Sequence, residues 1–342
     1  MIDMNWGLLG HEWAVSLLQR HIAQGSVRHA YLFTGPQSVG RRSLALRFAQ
    51  ALNCQQPPAP GEYCGTCRVC RQIAKLQQPD LTIVQAEQVG GTLKVEQIRE
   101  LRRSLALAPY EARYRVGLLL RFEEAHISAA NALLKTLEEP APQVILLLTA
   151  ESAESLLPTI VSRCEVVRLR PVAGAPLSEA LIQSLGIPEK QSRLLASISA
   201  GRPGYAINLY EQPDRMKQRQ VWLDEHAGLL KSNLVQRFHF VEKLAKDKDK
   251  ETVRGLLLVW VSLWRDVLMQ TIGVQAVIAN LDRDNEVVRL AQMGGIATAQ
   301  TVVAALERTL WMMDKNVNLR LALEVLMLDL PVVREPVNNP SS

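Results

Sequence analysis

The chain has 342 residues, 48% of them hydrophobic and 21% charged, with a formal net charge of +5. That length exceeds one ordinary core and predicts two or three domains in a soluble globular protein; the mild charge permits contact with nucleic acid without demanding it. No apolar run reaches the roughly 18 residues of a membrane helix, and the opening MIDMNWGLLGHEW lacks the basic region and apolar block of a secretory leader, so the membrane-spanning and secreted classes are set aside and a cytoplasmic location is expected.

In chain order, EWAVSLLQRHIAQ (12–24) has helical spacing, with Leu17, Leu18 and Ile22 on its apolar side. HAYLFT (29–34) reads as a buried strand that runs into a glycine loop, and RSLALRFAQAL (42–52) as the helix that follows. LTIV (81–84), YRVGLLLRF (114–122), QVILLLTA (143–150) and EVVRL (165–169) read as further strands. Between them, KVEQIRELRRSLAL (94–107) and SAANALLKTLEE (128–139) read as helices, the second capped by Ser128 and stopped before Pro140. Apolar strands alternating with helices predict a parallel sheet covered on both faces. From Pro171 the character changes: residues 172–208 carry short helical pieces, residues 209–330 carry long amphipathic helices without a strand signal, and the tail REPVNNPSS has a disordered composition. The run KDKDKE (246–251) reads as a solvated helix end or turn.

Two stretches carry chemistry. Cys54 is followed by nine residues and then Cys64-x2-Cys67-x2-Cys70, four of the five cysteines in the chain. Four thiolates suit tetrahedral zinc at about 2.3 Å per bond, and because all four positions are filled by protein the metal is structural. The second stretch, TGPQSVGRRSLA (34–45), has the glycine frame of a phosphate-binding loop, Gly35 and Gly40, but Arg41 stands in place of the lysine and Arg42 in place of the Ser or Thr. Arg42 offers only donors and cannot ligate a cation. Ser43 sits one step further along a helix, turned about 100° away. The loop is therefore expected to be empty or to grip an anion through backbone N–H groups, and bound ATP or ADP is doubtful. Glu123 and Glu124, after an apolar strand, read either as the acid pair of an ATPase or as acids at a helix start. By residue type, Arg163 is a surface arginine that suits a salt bridge.

HAYLFTGP, the four cysteines, NALLKTLEEP (131–140), LLLTAES, LLPTIVSRC (156–164) and GRPGYA (201–206) occur in that order. With NVNLRLALEVLMLDLP near the end, the sequence resembles the bacterial DNA polymerase III clamp-loader subunits of the AAA+ class over about residues 5–332. The resemblance implies an α/β fold: a RecA-like AAA+ parallel sheet over 1–171 with an inserted zinc module at about 54–70, a small helical lid domain over 172–208, an all-α collar domain over 209–332 and a tail over 333–342. It implies a hetero-pentameric ring with gamma/tau and delta partners, contact with primer-template DNA through the complex, and an indirect relation to the sliding clamp. It also implies that Arg163 reaches the nucleotide of a neighbouring subunit, where an arginine finger is worth roughly 10³–10⁵ in rate. Thr149 matches the first sensor position, and Arg202 lies near the second. The damaged loop, and a chain that stops where the collar would end, point to a subunit without its own ATPase; the alternative is an active gamma/tau-like motor with Arg41 replacing lysine. Arg99, Arg102, Arg103, Arg113 and Arg115 read either as DNA phosphate contacts or as a solvated helix face.

Overall fold

The structure is a computed structural model that describes residues 5–88, 90–247, 249–273, 278–315 and 317–333. Its contacts divide the chain into two units, residues 1–189 with 201–205 and residues 190–200 with 206–342. All but Val333 of the tail 333–342 lies outside the described residues.

In the first unit the elements run α1 (Glu12–Ala23), β1 (Ala30–Thr34), α2 (Arg41–Asn53), α3 (Arg68–Ala74), β2 (Leu81–Val84), α4 (Val95–Leu105), β3 (Arg115–Leu119), α5 (Ile127–Glu138), β4 (Val144–Ala150), α6 (Pro158–Val161), β5 (Glu165–Arg168) and α7 (Gly174–Leu185). The five strands form one parallel sheet in the order β2-β3-β4-β1-β5. The expected parallel α/β sheet is thus present. Every residue of β1, β3 and β4 is buried, whereas the edge strands β2 and β5 are partly open. That is why the central strands read as unbroken apolar runs.

Alternation along β1 feeds two cores. Tyr31 and Phe33 join Leu18, Leu44, Phe48 and Leu147 on one face, while Ala30 and Leu32 join Leu101, Leu133, Leu146 and Leu148 on the other. Each fully buried leucine contributes about 1.5–3 kcal/mol.

Two local readings are corrected. The cap of α5 is His126, whose ring nitrogen accepts from the Ser128 N–H, so the helix starts at Ile127, ahead of the Ser128 expected as its cap. Arg115 is buried in β3 and cannot face DNA. Its Nη2 lies 3.1 Å from Asp80 Oδ1, and its Nη1 donates to the Ser104 carbonyl. The Asp80 carboxylate also accepts the N–H groups of Tyr110, Glu111 and Ala112. Burial alone would raise its pKa, but these donors outweigh it and hold the group below the usual carboxylate range. The loop before β3 is therefore pinned from beneath. Arg99, Arg103 and Arg113 remain exposed and Arg102 half-buried.

Among its described residues the second unit carries helices and no strand, as the sequence led one to expect over 209–330. Its elements are α8 (Glu189–Ile198), α9 (Pro203–Glu211, begun at the end of the first unit), α10 (Pro213–Lys231), α11 (Leu234–Asp247), α12 (Lys250–Thr271), α13 (Asp284–Asp314) and α14 (Leu319–Asp329). Within the KDKDKE stretch, Asp249 caps α12 by accepting the Thr252 N–H. α13 is two helical segments joined at Gly295, where φ is 62° and ψ is −174°. The core is built around Trp260 and Trp264, with Leu256, Leu290, Leu306 and Leu326 packed about them. Trp264 Nε1 donates to His226 Nε2 at 2.9 Å. Arg237, 1% exposed, faces no carboxylate among its hydrogen-bond partners; it donates instead to the carbonyls of Leu229, Met327, Leu330 and Pro331. The Leu229 carbonyl also takes the Ser232 N–H at the end of α10, while those of Met327, Leu330 and Pro331 gather at the end of α14, where a cation is favoured.

Candidate functional site

Parallel strands bring their C-terminal ends to one edge of the sheet, which is where such folds place ligands. The loop after β1 lies there. Gly35 has φ 146°, and a Cβ on it would sit 2.4 Å from the Leu169 carbonyl oxygen. Gly40, at φ 118°, starts α2. Only glycine meets both demands cheaply. The Gly35 N–H donates to the Glu151 carbonyl, and His11 Nε2 lies 2.9 Å from the Val39 carbonyl, so the loop is tied on two sides.

Arg41 turns inward. It is 8% exposed, and its Nη1 stands 3.9 Å from Glu123 Oε1. At that distance the contact is an ion pair without a hydrogen bond; Arg41 Nη1 and Glu123 Oε2 are both buried with no hydrogen-bond partner among the described residues. Burial lowers the Arg41 pKa against the pull of Glu123 and Glu151. Burial likewise pushes Glu123 up, against the pull of Arg41. Arg42 and Ser43 are exposed.

The two acids part company. Glu124 accepts from Arg121 Nε at 2.9 Å and from the Gly90 N–H at 2.9 Å, so it braces a turn. Thr149, 2% exposed, accepts the Arg121 N–H on its hydroxyl. Arg202 lies over the Tyr205 ring at 4.8 Å, and burial lowers its pKa. The structure therefore pairs Arg41 with Glu123 and links Thr149 to the Arg121–Glu124 brace.

Arg163 is positioned by the turn between α6 and β5. Its side chain is 35% exposed; Nη2 lies 2.8 Å from Glu138 Oε1 and Nη1 donates to the Thr159 carbonyl at 2.8 Å.

The cysteines converge. The four Sγ atoms all lie within 4.8 Å of one another, and those of Cys54 and Cys64 are 3.5 Å apart. A tetrahedron of 2.3 Å bonds has edges of about 3.8 Å, so the donor set fits a zinc-sized ion. Backbone N–H groups of Cys64, Cys67 and Cys70 point at the sulfurs of Cys54, Cys64 and Cys67. Burial works against the Cys64 thiolate, but the Cys67 and Thr66 donors prevail and bring its pKa down to about 6. Cys70 is pushed up by burial and its thiol neighbours. The module is fastened beside α1: Tyr63 Oη donates to the Trp6 carbonyl and Gln19 Nε2 to Glu62 Oε1.

Against known proteins, the family described as DNA polymerase III, delta subunit, matches residues 10–173. The delta' subunit of DNA polymerase III from Pseudomonas aeruginosa is 36% identical over 213 residues, 62% of this chain and 64% of that one. The delta' subunit from Bacillus subtilis is 26% identical over 316 residues, covering 92% and 94%. These similarities support an AAA+ clamp-loader subunit of DNA polymerase III. The tau subunit of Bacillus subtilis is 31% identical over 73% of this chain, which spans only 44% of tau. The chain thus spans 94% of the Bacillus subtilis delta' subunit but less than two thirds of the Pseudomonas aeruginosa delta' and Bacillus subtilis tau subunits. A gamma subunit-related protein from Thermotoga maritima superposes with a TM-score of 0.47 at 18% identity, over 92% of this chain and 97% of that one.

Four site residues left no signal in the sequence. His11 and Glu151 touch the loop, Arg121 braces Glu124, and Glu138 holds Arg163. Glu138 lies in the quoted NALLKTLEEP stretch, but nothing in that pattern names its partner 25 positions on, at Arg163. Among the described residues no helix is long and apolar enough to cross a membrane.

Proposed function

We propose that this chain is a delta-prime-type subunit that helps a clamp loader place the sliding clamp on primed DNA. It does not hydrolyse ATP itself and donates Arg163 in trans to a neighbouring ATPase subunit. One observation carries this reading: Arg41, where a phosphate-binding lysine would stand, is buried against Glu123, and the next position offers no hydroxyl to a metal. Arg163, by contrast, sits partly exposed at an edge of the fold.

The remaining assignments follow from the same reading. Residues 1–171 form the AAA+ domain, 172–208 a lid and 209–332 a collar that joins gamma/tau and delta partners in a five-membered ring. Cys54, Cys64, Cys67 and Cys70 would hold a structural zinc, which supplies a covalent-like cross-link and no chemistry. Gly35, Gly40, Arg41, Arg42, Glu123, Glu124, Thr149 and Arg202 are the inherited frame of a nucleotide site. Arg99, Arg102, Arg103 and Arg113 remain available to DNA phosphates.

Identity to tau supports a second reading, an active motor subunit. Titrating the purified chain with ATP separates the two. No binding at micromolar ATP and no turnover is expected; micromolar affinity with hydrolysis would establish the motor. In the rebuilt complex, Arg163→Ala is expected to lower DNA-stimulated hydrolysis by roughly 10³-fold or more, and an unchanged rate would reject the trans-acting role.

A further inference from the structure

Arg163 is held from two elements at once. Its Nη1 donates to the Thr159 carbonyl in α6 and lies 3.4 Å from the Ser162 hydroxyl, both local to its own turn. The other anchor comes from elsewhere in the chain: Glu138, the last residue of α5, places Oε1 2.8 Å from Nη2. A local carbonyl alone leaves a long arginine side chain free to swing about that single bond. Adding a carboxylate on a second, rigid helix fixes the plane of the guanidinium as well as its position, because arginine presents its donors in a planar fork. The side chains of Arg163 and Glu138 are 35% and 51% exposed, so the pair sits at the surface with water around it. Its carboxylate charge is therefore screened and does not cancel the cation for an incoming anion.

Resting on the reading of Arg163 as a group presented to a neighbour's phosphates, we propose that Glu138 is its positioning residue. The carboxylate clamps Nη2 so that the rest of the guanidinium edge faces outward in a fixed orientation before any partner docks. The freedom an arginine must lose on meeting a phosphate is thereby lost in advance, within the folded chain. Glu138 touches neither nucleotide nor metal in this account; it acts through Arg163 alone.

That last point makes the proposal testable by a double-mutant cycle in the full complex, with DNA-stimulated ATP hydrolysis as the readout. The variants are Glu138→Gln, Glu138→Asp, Arg163→Ala and Glu138→Gln with Arg163→Ala, each checked for incorporation by gel filtration. Glu138→Gln is expected to lower kcat about fivefold to twentyfold with KM for ATP little changed, the pattern of an interaction that matters only in the transition state. Glu138→Asp, which keeps the charge on a shorter arm, recovers part of the loss. In the Arg163→Ala background Glu138→Gln has no further effect. An unchanged or raised kcat for Glu138→Gln overturns the proposal, the raised value marking the pair as a parking contact. An equal loss in both backgrounds also overturns it and makes Glu138 a structural residue. If Arg163→Ala itself keeps the full rate, the trans-acting reading fails and the positioning role fails with it. If Arg163→Ala is crippled while Glu138→Gln is not, only the positioning role falls.

Discussion

Arg41 and Glu123 stand 82 positions apart in the chain and 3.9 Å apart at the C-terminal edge of the sheet, the arginine 8% and the acid 20% exposed. Each offsets the desolvation of the other, and among the described residues neither has a hydrogen bond to fall back on at Nη1 or Oε2. Glu123→Gln leaves a buried cation without its main counter-charge and should cost about 1–3 kcal/mol. Urea unfolding followed by circular dichroism measures this. Replacing both residues, Arg41→Met with Glu123→Leu, should recover most of the loss; if Glu123→Gln leaves the midpoint unmoved, water screens the pair.

The cysteine cluster predicts one zinc per chain by metal analysis. Removing the ion with a strong chelator should expose four thiols to alkylation and lower the melting temperature of the first unit, because Cys67 caps α3 and the module is fastened at Trp6 and Gln19. Cys64→Ser should weaken metal retention and leave the second unit's unfolding in place. A chain purified with well under one equivalent of zinc and an unchanged melting curve would remove the site.

His226 titrates far below an ordinary histidine, at about 3, because burial penalises its charged form and Arg237 adds to the penalty. A depressed histidine pKa means that the unfolded state takes up the proton first. The neutral ring's contribution is thus intact above pH 6.5 and is lost as pH falls from there toward 3. The second unit should lose about 2 kcal/mol between pH 7 and pH 5. Tryptophan fluorescence reports it directly, since Trp260 and Trp264 adjoin the ring. His226→Phe should flatten that slope; an unchanged slope would assign it to other groups.

Arg237 gathers four main-chain carbonyls where α10 and α14 end. Arg237→Leu strands the Met327, Leu330 and Pro331 oxygens, Leu229 keeping its Ser232 donor, and should cost about 3–5 kcal/mol. Arg237→Lys should rescue little, because three donors on one nitrogen cannot span the four acceptors. Denaturant midpoints for both variants test the order, and equal stability of Lys and wild type would reject it.

What the sequence disclosed was local. The apolar runs of β1, β3 and β4 announced themselves because both faces of a central parallel strand are buried. The cysteine spacing announced the cluster of thiols for a similar reason: three of its four members lie within seven residues. Long-range pairings left no such trace. Arg115 read as one basic residue among five, because Asp80 lies 35 positions away and only the fold joins them. Glu123 and Glu124 look alike as neighbours, yet the strand end turns one toward Arg41 and the other toward Arg121. His126 displaced Ser128 as a cap because its ring accepts the Ser128 N–H, so the helix has already begun at Ile127 when Ser128 is reached.

The break at Gly295 solves a phase problem in α13. At about 100° per residue, Val287 and Leu290 would lie roughly 100° around the axis from the mean direction of Ala299, Val302, Ala305, Leu306 and Met313 if the helix ran unbroken. All seven nevertheless share one core. The non-helical residue works as a rotary joint, turning the second stretch until its oily stripe meets the interior already served by the first. Straightening it would swing one of the two stripes into water.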